Sequence, residues 1–109
     1  MPTGRNCNRI SAPARRRLRA RAHALKPVII VGSSGVTAAL IAALEQALDD
    51  HALIKIRVNA EDRIQRCALI DELCVAAGAQ LVQTIGHVAV IFREPEDEIL
   101  REVLSEILD

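Results

Sequence analysis

The chain has 109 residues, half of them apolar, a single aromatic (Phe92), and 14 basic against 14 acidic side chains. That bounds it to one domain with an aliphatic core of Leu, Ile, Val and Ala. It holds neither a membrane-length apolar run nor, before Pro27, the apolar segment of a secretory signal, so a cytoplasmic protein without a membrane partner is expected.

Three cysteines, Cys7, Cys67 and Cys74, form no framework spacing. An odd, scattered set fits a reducing compartment, with no metal centre and no cofactor expected. His23, His51 and His87 share no spacing that suggests a site. The zero net charge hides a split. Residues 1–26 carry eight basic groups and no acid, whereas residues 94–109 carry seven acids and only Arg101. Such asymmetry points to a nucleic acid or another acidic surface near the N-terminal end.

Taken in chain order, residues 1–12 lack periodicity and read as a flexible basic arm. Pro13 suits the first turn of a helix. Ala14, Leu18, Ala22 and Leu25 then form a narrow stripe flanked by Arg15, Arg19 and Lys26, with Arg16 further round on the same side. Pro27 ends that helix, and Val28–Val31, all β-branched, predicts a short buried strand. After the loop Gly32-Ser33-Ser34-Gly35, Thr37 is placed to cap a helix, with Val36 and Ile41 as a hydrophobic staple. Leu40, Ile41, Leu44 and Leu48 mark its inner face; Glu45, Asp49 and Asp50 are expected to face water.

Leu53–Val58 alternates as a strand, with Ile54, Ile56 and Val58 on one side and Lys55 and Arg57 on the other. A helix over 62–77 buries Cys67, Ile70, Leu73, Cys74 and Ala77, closes at Gly78, and carries Arg63 and Arg66 near its start. Strands over 79–85 and 88–93 are joined by Gly86-His87, a hairpin signal. A last helix, 97–108, has a strongly apolar stripe from Ile99 to Leu108. The order α-β-α-β-α-β-β, then α, predicts a compact α/β sandwich with a mixed four-stranded sheet and an extra C-terminal helix.

The loop admits three readings. A nucleotide site needs a third glycine or a following Lys-Ser/Thr, and both are missing. A nucleic-acid clamp uses the two glycines to let a sugar–phosphate backbone approach, as in the G-x-x-G loop of KH modules, with helix-start amides and the Ser33 and Ser34 hydroxyls meeting phosphate. A plain strand-to-helix turn is the third. With Phe92 as its only aromatic, the chain cannot stack bases as an RRM or an OB-fold does, so binding would be led by the backbone and sensitive to salt.

Three separated stretches, "LRARAHALKPVIIVGSSGVT", "HALIKIRV" and "LVQTIGHVAVIFR", resemble the CRM domain family (chloroplast RNA splicing and ribosome maturation), above all its single-domain bacterial members of the YhbY type. The resemblance runs from about Ala14 to Arg93. It implies a fold related to the C-terminal domain of translation initiation factor three and a non-enzymatic role. It also implies RNA as partner, specifically large-subunit ribosomal RNA in a precursor particle, and no small-molecule substrate. The family loop corresponds to Gly32, Ser33, Ser34 and Gly35. Members usually carry Lys or Arg between these glycines, so two serines shift the burden of affinity to Arg15, Arg16, Arg19 and Lys26. Lys55, Arg57, Arg63 and Arg66 form a second tier.

The expected organisation is an arm over 1–12, an RNA-binding domain over 13–94, and an acidic amphipathic helix over 95–109. That helix could pack on the domain, pack on another chain, or compete through its acids for the basic patch. A protein-interaction module working through it is the alternative function, and the oligomeric state is open.

Overall fold

The computed structural model describes residues 10–108. Arg5, Cys7 and Arg9 of the expected arm lie outside the described residues. The elements are α1 (Ala12–Ala22), β1 (Pro27–Val31), α2 (Ala38–His51), β2 (Leu53–Val58), α3 (Arg63–Ala77), β3 (Gln80–Ile85), β4 (Val88–Phe92) and α4 (Glu98–Leu108).

Local chemistry sets most of the boundaries. Ser11 caps α1 by accepting from Ala14 N, with Pro13 in the first turn. Thr37 caps α2 by accepting from Leu40 N at 3.1 Å, and Val36 and Ile41 pack against the core beside it. Asp62 accepts from Ile64 N and Gln65 N to open α3, and Gly78, at φ +64°, closes it. Asp97 accepts from Ile99 N and Leu100 N to open α4. Each cap satisfies amides that the helix itself leaves without partners. α1 ends at Ala22, earlier than Pro27 alone implies, with His23 as its cap.

The sheet order is β1-β2-β4-β3. β1 and β2 are parallel, with α2 as the crossover; β4 runs antiparallel to both β2 and β3. α2 and α3 cover one face, where Leu44, Leu48, Ile70 and Leu73 meet Ile29, Ile54, Ile56 and Ile91. On the other, Leu18 and Ala22 of α1 and Leu104 of α4 meet Leu53, Val82, Val90 and Phe92.

Three expectations are corrected. β1 is buried on one face only: Val28 and Ile30 are 53% and 62% exposed. It is an edge strand whose second face extends past the cover of α1 and α4, and a β-branched run reads the same in either setting. Cys67 is exposed because it sits on the flank of the α3 stripe, while Cys74 is buried. Glu45 and Asp49 do not simply face water. Arg93, at the end of β4, pairs with the carboxylates of both and also donates to Ala77 O at 2.9 Å and Glu45 O at 3.3 Å.

Arg93 thereby ties β4 to α2 and to the end of α3. Arg93→Ala should cost about 1–2 kcal/mol, since it orphans a partly buried carbonyl while the two exposed carboxylates return to water. A urea denaturation series checks this, and a loss under a few tenths of a kcal/mol would refute the clamp.

Candidate nucleic-acid interface

The Gly32–Gly35 loop follows β1 directly and is closed by Gly35 N donating to Gly32 O at 3.1 Å. Its two glycines differ. Gly35 sits at φ +69°, a left-handed conformation that disfavours a side chain. Gly32 has no positive φ, and a Cβ there would meet nothing within 4 Å. The fold therefore needs glycine at 35 for the turn and makes no such demand at 32. Ser33 and Ser34 are exposed and make no hydrogen bond within the described residues.

The topology gathers one set of predicted residues around this loop. β1 and β2 end side by side, and Asn59 N donates to Val31 O at 3.0 Å. The Gly86-His87 turn joins them, with Val58 N donating to His87 O at 2.8 Å. Arg57, Arg63 and Arg66 belong to this end. Arg57 Nε donates to Asn59 Oδ1 at 3.0 Å. Arg66 is committed within the fold, donating to Ala60 O and Glu61 O at 2.8 and 3.0 Å. Arg63 is exposed and makes no ion pair or hydrogen bond with a described residue.

A second set lies on α1 and just after it. Arg16, Arg19 and Lys26 are exposed, with no hydrogen bond or ion pair to a described residue. Arg15 differs, since its NH1 donates to Leu81 O and Val82 O at 2.7 and 3.0 Å. Those carbonyls stand at the irregularity in edge strand β3, between Leu81 and Gln83. Arg15 thus fastens α1 to the sheet, a role its stripe position does not reveal. The loop set and the α1 set are not contiguous. The sheet face that α1 and α4 leave open lies between them and carries Lys55 and Arg57 in alternate positions.

Other chemistry is sparse. Among the described residues no three His, Cys, Asp or Glu gather as metal ligands, and no helix is long and apolar enough to cross a membrane. Burial, aided by Asp71, pushes the Cys74 thiol up to about 11. Its folded value exceeds the free one of 9.0, so the stability tied to the neutral thiol is complete below pH 9 and is lost as pH rises from there towards 11. In a Cys7→Ser background, a thiol reagent at neutral pH should modify Cys67 rapidly and Cys74 only on unfolding; equal rates would contradict the burial.

α4 packs on α1. Leu104 is buried, yet Ile99 and Val103 are 75% and 51% exposed. A cleft of about 390 Å³ opens beside it, lined by Leu25, Val28, Leu53, Leu100 and Val103 with Arg21 among its polar groups.

Comparison with known proteins places this arrangement. A probable RNA-binding protein of Pseudomonas aeruginosa is 47% identical over 72 residues, 66% of this chain and 69% of that one. An RNA-binding protein of Haemophilus influenzae is 36% identical over 88 residues, 81% of this chain and 89% of that one. The solution structure of a hypothetical Staphylococcus aureus protein, described as a candidate RNA-binding protein, superposes with a TM-score of 0.73 at 29% identity, covering 83% of this chain and 94% of that one. Residues 10–93 match the CRS1 / YhbY (CRM) domain, with α4 lying beyond the match, so this chain belongs to the CRS1/YhbY (CRM) domain family.

Proposed function

We propose that this chain is a non-enzymatic RNA-binding protein of ribosome assembly, acting on large-subunit ribosomal RNA within a precursor particle. The observation that carries the RNA reading is the set of exposed cations Arg16, Arg19 and Lys26, none of them neutralised by a described residue. Cations held in water without internal partners are available to displace counterions from phosphates. The names of the relatives, two of which are RNA-binding or probable RNA-binding proteins, support the same reading.

The mechanism is a backbone clamp. The loop lets a phosphate approach at Gly32, where no side chain intervenes, and Ser33 and Ser34 donate to its oxygens. Arg16, Arg19 and Lys26 neutralise phosphates further along the RNA, beyond the open sheet face, with Arg15 contributing only the N–H groups that β3 leaves free. Lys55, Arg57 and Arg63 extend the positive field across the sheet; Arg66 has the smallest share because its guanidinium caps a loop. Binding takes place in the cytoplasm.

Sucrose-gradient sedimentation tests the ribosomal part. The full chain should travel with large-subunit precursors and be released by moderate salt. Sedimentation only with free protein, or equally with every ribosomal particle, would remove the assembly role and leave RNA binding standing.

The exposed Ile99 and Val103 favour a second reading, protein interaction through α4. Charge-preserving polar substitutions at both should then abolish partner capture while sparing RNA affinity.

A further inference from the structure

We propose that the uncovered part of the sheet, centred on the row Ile30–Arg57–Val88–Ile85, is a contact site for unpaired RNA bases, making the protein selective for single-stranded segments over continuous duplex. The proposal deepens the RNA-binding reading above and rests on it.

The four residues lie in one row across all four strands. Ile30 pairs with Arg57 in β1–β2, Arg57 with Val88 in β2–β4, and Val88 with Ile85 in β4–β3. With strands about 4.8 Å apart the row spans roughly 14 Å. Both isoleucines are largely in water, Ile30 at 62% and Ile85 at 59% exposure, while Val88 is half-buried. Along the same face the neighbouring residues Val90, Leu53 and Phe92 are fully covered. The apolar surface is therefore continuous with the core, and its cover stops short of the end that carries the loop. Ile30 stands two residues before Gly32, and Ile85 directly before Gly86.

The chemistry selects the occupant. Lys55 and Arg57 both project from this face and no acidic residue of the four strands shares it, so a polyanion is favoured. A duplex offers phosphates and groove edges and would leave the isoleucines wet. Unpaired bases offer flat, weakly hydrated faces that cover aliphatic side chains and stack on a guanidinium plane. Arg57 supplies that plane, held by its Nε bond to Asn59. Phe92, the one aromatic ring of the chain, is buried, so the contact combines aliphatic packing with one stacked arginine.

The test uses the full chain and three probes: a short unpaired RNA, a hairpin duplex of equal length, and the sugar–phosphate chain lacking bases. Arg57→Lys keeps the charge and removes the plane; the double variant Ile30→Ser, Ile85→Ser removes the apolar surface at exposed positions, and thermal melting checks that each remains folded. Wild type should prefer unpaired RNA. Each variant should lose about fivefold on that probe, in line with the loss of a single base-stacking contact, with an unchanged salt slope and unchanged binding to the baseless chain. Variants that bind unpaired RNA as wild type does, or lose equally on duplex, overturn the proposal while the clamp stands. A change of oligomeric state with RNA affinity intact overturns it in favour of a protein contact. Failure of wild type to bind any probe removes the RNA reading and this inference together.

Discussion

Replacing Arg16, Arg19 and Lys26 together by glutamine should weaken binding to structured ribosomal RNA roughly thirtyfold at low salt and lower the slope of log affinity against log salt by about 2 to 3. Each side chain is exposed and bonds no described residue, so the fold loses nothing by the change. The two readouts belong together. Loss of phosphate contacts must reduce the number of counterions released, and an affinity loss at constant slope would mean that the arginines act through structure instead. Arg15→Gln is the control. It removes the bonds to Leu81 O and Val82 O, so its main effect should be about 1 kcal/mol of stability, with a slope change of at most one unit.

Gly32→Asp should lower RNA affinity about tenfold while leaving the melting temperature unchanged. A side chain at 32 enters open space and the backbone there has no positive φ, so the protein itself has no reason to resist it. A phosphate does: the carboxylate occupies its approach and repels its charge. Gly35→Ala tests the other role. At φ +69° a Cβ costs about 1–2 kcal/mol of stability, and Gly35→Asn, which tolerates the left-handed region, should recover part of it. Affinity unaffected by Gly32→Asp would reduce the loop to a turn and leave binding to α1 and the sheet.

The separation of the two glycines shows what local sequence carries and what it does not. The cap at Thr37, the closing Gly78 and the Gly86-His87 turn were legible because a cap or a tight turn is decided within a few residues. The strand-helix order followed from periodicity for the same reason. What periodicity lacks is the identity of distant partners. Val28–Val31 has the composition of a buried strand whether or not a helix reaches its second face. Arg15 and Arg93 look alike as solvated charges, yet one fastens a helix to an edge strand and the other ties β4 to α2 and α3. Both bonds span long sequence separations, and no spacing rule exposes them.

The candidate site divides along the same line. Loop, serines and basic helix could be named from the chain alone, because a G-x-x-G turn and a run of arginines are local signals. The row Ile30–Arg57–Val88–Ile85 could not, since its members come together only through the registers of three strand pairs. Arg57 was visible as an outward residue of β2, but its neighbours on that face were not.

The acidic helix α4 marks a boundary of a different kind. It packs on α1 through Leu100 and Leu104, as an amphipathic stripe predicts, and it lies beyond the residues that match the family. Its exposed Ile99 and Val103 show that packing on this domain uses only part of the stripe.

The driving role proposed for phosphate neutralisation is tested by the affinity of the unmodified full chain for a structured large-subunit ribosomal RNA fragment across a salt series. Log affinity should fall linearly with log salt, at about 0.7 to 0.9 per phosphate contact, for a total slope of several. Absent binding, or an affinity indifferent to salt, would contradict it.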